Sequence, residues 1–197
     1  MINQKPVLII LTLTVLLSGC TTIIQQTRIP TSLNSMEYNS VASNYMERPT
    51  FVRIEDMSDG ASVLAVEMEQ YSYGIGGYEN SNRWSIRFKK DFVSDYIVLI
   101  NKYFDWEQTA TSRKDAFTKE IGRVQAWSNG PSGKLKFVFH SGNEKTHYMA
   151  VSFCSVGTCL DNEALYFSKN DVSELKNLLS KFESGVFKQT DINRVYN

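Results

Sequence analysis

A strand-to-helix passage occurs twice in the sequence, at residues 86–103 and 165–182, with a constant offset of 79 residues. Each copy places a Phe and a Lys in the strand, a Val-Ser pair at the start of the helix and a Lys-aromatic pair near its end. The recurrence predicts one unit used twice, in which antiparallel strands precede a helix that packs back on them. Chance similarity between two amphipathic helices explains the pattern as well as a true duplication does.

Alternating apolar residues predict the strands of the first half. The predicted strands are residues 51–57, 63–73 and the segment around 84–88, with a turn at 58–60. A helix is predicted from Asp91, as the N-cap, to about residue 108. Its wide apolar face requires burial against a sheet, and the polar residues 109–115 are expected to form a loop.

The second half shows the same kinds of segment. Strands are predicted over residues 121–127, 135–139, 147–154 and 164–167, with a turn cluster at 128–133. A second helix is predicted from Asn170, as the N-cap, and Gly185 is typical of a helix end. Residues 51–185 are therefore expected to form one α+β domain of antiparallel β-sheet units, with candidate half-repeats at 51–108 and 117–183.

Three or four strands followed by a helix, twice over, is an arrangement that resembles the PUR and Whirly proteins. The resemblance implies two intertwined units, and many members of those families bind single-stranded nucleic acid. The charge argues against this function here, because 21 Lys and Arg balance 21 Asp and Glu, whereas nucleic-acid binders usually have a basic excess. No nucleic-acid partner is therefore expected, since fold alone does not carry function.

The N-terminus has the features of a bacterial signal peptide. Lys5 precedes an apolar run over residues 7–17, which is too short to span a bilayer as a helix. The run ends in Leu17-Ser18-Gly19-Cys20, which resembles the lipobox of bacterial lipoproteins. This resemblance implies a signal peptide over residues 1–19 and a Cys20 that carries a diacylglyceryl group and an acylated N-terminus. An ordinary secretory signal with an unrelated Cys, or a short anchor helix, is the alternative.

The lipoprotein resemblance also implies a location and a membrane partner. The chain is expected in the bacterial cell envelope, held by its lipid, because a neutral domain offers no polybasic patch. Thr21 after the lipidated Cys implies the outer membrane, facing the periplasm, if the source is Gram-negative. Residues 20–50 are polar and weakly periodic, so a lipidated, mostly disordered tether is expected there. Residues 186–197 are expected to form a polar C-terminal tail.

Two further cysteines, Cys154 and Cys159, enclose a turn-like Ser-Val-Gly-Thr stretch. In an oxidising envelope, an even pair at this spacing predicts a structural disulfide. A redox pair or half of a zinc site is the alternative. Redox motifs favour a Cys-x-x-Cys spacing at the start of a helix, and zinc needs more ligands than lie nearby.

The loop over residues 74–82 is the most unusual stretch of the chain, and Tyr71, Tyr73 and Tyr78 lie in or beside it. Its Gly-x-Gly-Gly run is similar to a phosphate loop, but a strand rather than a helix is predicted to follow. Tyrosine rings offer stacking faces with hydroxyl groups, so these three residues are candidate ligand-binding residues. A long mobile hairpin loop without a ligand is the alternative interpretation.

Candidate catalytic and metal sites are weak. His140 and His147 flank a predicted turn and could face each other as two metal ligands, but no firm third ligand is visible. No catalytic motif such as Gly-x-Ser-x-Gly or His-Glu-x-x-His occurs. No metal, cofactor or catalytic residue is therefore predicted, and an enzyme is disfavoured.

The sequence thus favours a membrane-anchored envelope lipoprotein that acts as a non-enzymatic binding module for an envelope protein or surface component. One alternative is an inhibitor or immunity-type lipoprotein against an envelope-attacking hydrolase, with the stretch between Cys154 and Cys159 as its protruding element. Another is an enzyme on cell-wall glycan or lipid. Its best acids would be Glu67, Glu69 and Glu79, near the tyrosine loop.

Overall fold

The computed structural model describes residues 21–73, 79–130 and 132–187, with the backbone alone over residues 70–73 and 79–82. These residues form eleven strands and two α-helices. The strands are β1 (Ile23–Ile29), β2 (Ser35–Asn39), β3 (Asn44–Arg48), β4 (Thr50–Met57), β5 (Ser62–Tyr73), β6 (Glu79–Lys89), β7 (Thr118–Ala126), β8 (Gly133–Ser141), β9 (His147–Ser155), β10 (Thr158–Cys159) and β11 (Leu165–Phe167). The helices are α1 (Val93–Arg113) and α2 (Lys169–Glu183).

The strands form two antiparallel sheets. Sheet A has the order β1-β4-β5-β6, and sheet B has the order β3-β2-β11-β9-β8-β7, with β10 paired to the distal part of β9. The predicted α+β class with antiparallel sheets is confirmed.

Alternation within the strands of sheet A gives the sheet one apolar face and one charged face. In register, Val52, Val66 and Ile86 lie side by side, as do Ile54, Leu64 and Phe88, and all six are buried. Residues one position away on the same strands point to the opposite face, because the side-chain period of a strand is two. The apolar face joins a single core with the inner residues of sheet B and both helices.

The two helices run antiparallel and are joined near both ends. Ser94 Oγ donates to Glu183 Oε1 at 2.7 Å, and Lys169 Nζ lies 2.6 Å from Glu107 Oε2. Helix α1 also packs on sheet B, where a Cβ at Gly122 would come within 2.9 Å of Leu99 Cδ2. Gly122 thus lets the helix approach β7 closely.

The bounds of helix α1 differ from the prediction at both ends. Asp91 lies in a 3₁₀ turn, and the N-cap is Phe92, which makes no side-chain cap hydrogen bond. The helix continues through the stretch predicted as a loop and ends at Lys114, whose φ of 59° is left-handed. It continues because Ala110 is buried, and Thr109 Oγ1 donates to the Asp105 carbonyl inside the helix.

The N-cap of helix α2 is Ser168 rather than Asn170. The Ser168 side chain accepts a hydrogen bond from the Asp171 backbone N–H, which satisfies one of the free donors of the first turn. At the other end, Gly185 has a φ of 70°, as the sequence predicts for a residue just past a helix end.

The prediction of a disordered tether is wrong for residues 23–48, which contain β1, β2 and β3. Strand β1 pairs with β4 as an edge of sheet A, and β2 pairs with β11 in sheet B. Backbone hydrogen bonds to an existing sheet need few apolar side chains, which explains the weak periodicity. Ile29 and Leu33 are buried in the core and fix this segment to the domain.

Neither described helix combines the length and the apolar character that crossing a bilayer requires. Cys20, the predicted signal peptide and residues 188–197 of the predicted tail lie outside the described residues.

Candidate functional site

The predicted tyrosine site lies mostly outside the described side chains. Tyr71 and Tyr73 belong to the backbone of strand β5, and Tyr78 is outside the described residues. Strand β6 begins at Glu79, so the predicted loop is shorter than expected at that end. The β5–β6 hairpin that carries this loop also carries the charged face of sheet A.

The two cysteines lie opposite each other across the β9–β10 hairpin. Their sulfur atoms are 2.05 Å apart, at bonding distance, as the spacing predicts. Val156 and Gly157 form the two-residue turn with φ values of 49° and 83°. Two positive φ values match the right-handed twist of a tight hairpin. Val156 is 79% exposed at the tip.

The alternative in which the two histidines face each other as metal ligands does not hold. In the β8–β9 register, His147 pairs with Ser141 and His140 pairs with Tyr148, so the two imidazoles lie on opposite faces of sheet B. Among the described residues, no group of three or more His, Cys, Asp or Glu could hold a metal ion.

Each imidazole instead has its own neighbours. His140 Nε2 lies 2.7 Å from the Tyr45 hydroxyl and its Nδ1 lies 2.8 Å from Thr118 Oγ1. His147 stacks on Phe139, and its Nδ1 lies 2.8 Å from Ser141 Oγ. Burial lowers the pKa of both histidines below the usual 6.5, although the charge of Glu107 partly opposes this at His147.

We expect the free energy of unfolding to fall as the pH drops below 6.5. The folded state binds protons at His140 and His147 less readily than the unfolded state, so their contribution is complete above the unfolded pKa and is lost below it. Urea unfolding midpoints measured above and below this pH test the prediction. The His147→Phe variant should lose part of the dependence, and a wild-type midpoint that stays constant would contradict it.

The charged face of sheet A includes four arginines and two glutamates that we call the arginine face: Arg28, Arg53, Arg83, Arg87, Glu55 and Glu67. Register explains why they meet. Arg28 lies opposite Arg53 on neighbouring strands, and Arg53, Ala65 and Arg87 form one row across β4, β5 and β6. Ala65 leaves room for the long side chains on both sides.

Ion pairs hold the centre of the arginine face. Arg53 Nε lies 2.5 Å from Glu55 Oε1, and Arg87 Nε lies 2.7 Å from Glu55 Oε2. Arg53 Nη2 lies 2.7 Å from Glu67 Oε2, and Arg83 Nη1 lies 3.7 Å from Glu67 Oε1. The Glu55 side chain is 0% exposed. Burial alone would lower the pKa of Arg53, but hydrogen bonds to Glu67 and Glu55 raise it above its usual value.

Glu67 was a candidate acid for the enzyme alternative, and the structure shows both of its carboxylate oxygens beside guanidinium groups. This arrangement suits a positioning role, because each carboxylate orients an arginine. Glu69 lies in the same strand, opposite Arg83, whereas the side chain of Glu79 is outside the described residues.

Two adjoining cavities open on the arginine face and share Arg83. The first, of about 360 Å³, is lined by residues that include Arg28, Arg53, Glu67 and Phe51. The second, of about 400 Å³, lies along the edge strand β6. Its lining residues include Arg87, Trp84, Trp127 and Asn129. Each volume is within the range of small-molecule sites.

Each cavity has a lining residue with a donor group that is unpaired within the described part of the chain: Trp84 and Trp127 at the second cavity, and Arg28 at the first. The buried indole N–H groups of Trp84 and Trp127 have no hydrogen-bond acceptor among the described residues. Arg28 has no acidic partner among the residues that the structure describes. Its guanidinium lies 4.7 Å from the centroid of the Phe51 ring.

Four guanidinium groups against three carboxylates, those of Glu55, Glu67 and Glu69, leave an excess of one positive charge on this face. Such a site favours an anionic ligand with several acceptor oxygens.

Sequence reasoning missed this site, although its signal was present. The polar positions of the predicted strands alternate as Arg53-x-Glu55 and Arg83-x-Ser85-x-Arg87, but only strand pairing shows that they share a face. Comparisons with protein families, with curated proteins and with solved structures find no match. The resemblances to lipoproteins and to PUR and Whirly proteins stay predictions.

Proposed function

We propose that this chain is a lipid-anchored, non-enzymatic binding module of the bacterial envelope that holds an anionic group on its arginine face. The observation that carries the proposal is the pair of cavities lined by guanidinium groups. The second cavity is also lined by Trp84 and Trp127, whose buried indole N–H groups have no acceptor among the described residues. Unpaired buried polar groups are rare in folded proteins, so each one calls for an explanation, and a bound ligand is one.

The lipobox residues support anchoring through Cys20. The proposal places the domain in the bacterial envelope, on the outer membrane and facing the periplasm if the source is Gram-negative. An envelope component with phosphate, carboxylate or sulfate groups is the partner class that the arginine face would recognise.

We also propose that the domain arose from two related halves. The paired positions at the offset of 79 residues support this, because both members of each pair lie in the core: Phe88 with Phe167, Val93 with Val172, Tyr96 with Leu175, Ile100 with Leu179 and Tyr103 with Phe182. Each helix follows a run of antiparallel strands: β4, β5 and β6 precede α1, and β7, β8, β9 and β11 precede α2.

The double variant Arg28→Gln/Arg83→Gln tests the anionic site. Both arginines are exposed, so the fold should persist while two of the donors are lost. Because hydrogen bonds to charged groups contribute about 1.5–3 kcal/mol each, we expect at least a tenfold rise in the Kd for citrate and inorganic phosphate. Isothermal titration calorimetry of the mature protein measures it.

Arg113→Gln is the matched control, because Arg113 is 68% exposed and lies at the end of helix α1, outside both cavities. This variant should bind as the wild type does. Equal affinity in all three proteins, or no binding of either anion by the wild type, would overturn the proposed site.

A second candidate function, inhibition of an envelope-attacking hydrolase, is favoured by the β9–β10 hairpin. A β-branched residue rarely adopts a positive φ, yet Val156 does so at 49° and presents its side chain to solvent. The disulfide holds this tip in one conformation, which lowers the entropy lost on binding. An exposed apolar tip of this kind suits insertion into an apolar pocket of a protein partner.

Val156→Asn tests the hairpin, since Asn tolerates the positive φ and replaces the apolar side chain with a polar one. We expect unchanged thermal stability but loss of protection against one lytic enzyme in cells that carry the variant. Uniform survival across a panel of lytic enzymes, with or without the wild-type chain, would exclude the inhibitor function.

A further inference from the structure

We infer that the anionic group on the arginine face is the phosphate of a net anionic lipid headgroup, one without an ammonium group to neutralise it, in the same membrane that holds the anchor of the protein. This inference rests on the proposed function, because it names the ligand class of that site. Three features support it: the place where the chain enters the domain, the short distance along the chain between that entry and the proposed anchor, and the kinds of side chain around the cavities.

The chain enters the domain beside the second cavity. The Thr21 backbone N–H donates to Asn129 Oδ1 at 3.0 Å, and Asn129 lines that cavity with Trp127. Two more hydrogen bonds hold the entry: the Thr22 N–H donates to Ser58 Oγ at 3.0 Å, and the Ser58 N–H donates to the Thr22 carbonyl at 2.8 Å. The first described residue is therefore fixed within reach of the cavity.

No flexible spacer separates this entry from the lipid attachment that we propose at Cys20. Cys20 precedes Thr21 by one peptide bond, which is about 3.8 Å between Cα atoms. A disordered tether of 30 residues would instead place the lipid an average of about 30 Å away. With an anchor at Cys20, the second cavity lies at the level of the headgroups.

The side chains near the entry suit the surface of a membrane. Guanidinium groups bind phosphate oxygens through two parallel hydrogen bonds, and tryptophan prefers the interface because its ring is apolar and its N–H is polar. Ile23 and Ile24, directly after the entry, are 43% and 69% exposed. They offer apolar contacts to the acyl boundary, whereas Arg83 and Arg87 face the headgroups from β6.

Tryptophan fluorescence can report on this site alone. Trp84 and Trp127 line the second cavity, whereas the third tryptophan, Trp106, packs against Phe117 and Phe139 near the opposite end of β8. The Trp106→Phe protein, lipidated and otherwise full length in its mature form, therefore leaves two reporters beside the proposed ligand.

The experiment reconstitutes this protein in phosphatidylcholine vesicles with and without phosphatidylglycerol. Quenching by a spin label on the lipid headgroup is then measured. We expect at least twofold stronger quenching with phosphatidylglycerol, loss of that increase in the Arg28→Gln/Arg83→Gln background, and its retention in the Arg113→Gln background. A third arm adds inorganic phosphate to phosphatidylcholine vesicles.

The outcomes separate the lipid from other sources of phosphate. A phosphatidylglycerol-specific increase that depends on the two arginines supports the inference. A fluorescence change with inorganic phosphate, but equal quenching in both vesicles, would overturn the lipid ligand and leave the anionic site in place. No response to phosphate or to phosphatidylglycerol would overturn both.

Discussion

Replacing Glu55 with Ala is expected to lower the free energy of unfolding by about 3 kcal/mol, near the lower end of the range for a broken buried ion pair. The carboxylate is 0% exposed and pairs with both Arg53 and Arg87. Without it, two guanidinium groups face each other across Ala65 with no charge between them. The lower end applies because these arginines are 21% and 25% exposed, so water screens part of the repulsion.

The same substitution should abolish anion binding, because Glu55 holds the two central arginines in place. Urea unfolding measures the first effect and calorimetry with citrate the second. Glu120→Ala is the control, since the Glu120 and Arg123 side chains are 43% and 40% exposed and water screens their pairing, so its loss should change stability little. A loss of stability no greater than in this control would contradict the structural role of Glu55.

Replacing Phe137 with Ala is expected to cost about 3–5 kcal/mol. Phe137 is 0% exposed in β8, and its ring centroid lies 6.5 Å from Phe88 in sheet A and 6.1 Å from Tyr96 in α1. The Phe137 ring, which belongs to sheet B, therefore lies against a residue of sheet A and a residue of helix α1. Its removal leaves a cavity that the surrounding elements cannot fill without moving relative to one another.

Thermal or urea unfolding measures this loss. Phe117→Ala is the matched control, because Phe117 is 37% exposed and stacks on Phe139 at the periphery. We expect a clearly smaller loss there. Similar losses in the two variants would contradict the prediction, because Phe137 would then contribute no more to stability than a peripheral ring does.

Periodicity predicted the elements whose apolar residues alternate or recur on one face. The strands around Val52, Val66 and Phe88 lie where the alternation placed them, and the wide apolar face of α1 is buried. Helix ends were predicted less well, because a serine one or two residues away can cap as effectively as the expected residue. Ser168 replaces Asn170 in this way.

Edge strands could not be predicted in the same manner. Strand β1 exposes Ile23 and Ile24 and is held largely by backbone hydrogen bonds to β4, which leave no hydrophobic pattern in the sequence. The same limit applies to side chains that face each other across strands. The sequence allows a hairpin in which His140 pairs with His147. The actual β8–β9 register differs from that one by a single residue and places the two imidazoles on opposite faces.

Predicting the arginine face requires both the periodicity within each strand and the pairing between strands. Apart from Arg28, which lies in the segment predicted as a tether, its residues stand at polar positions in or beside three predicted strands. Their convergence on Glu55 follows only from the pairing of β4 with β5 and of β5 with β6.

The hydrogen bonds between Thr22 and Ser58 have a consequence for the distance over which the protein can act. A lipoprotein on a long spacer searches a wide volume above its membrane. A domain of this length attached directly at its first residue has a reach set by its own size, a radius of gyration of about 16 Å. With the anchor that we propose at Cys20, partners of the domain would have to come to the membrane surface, and components fixed deeper in the envelope would lie beyond its range.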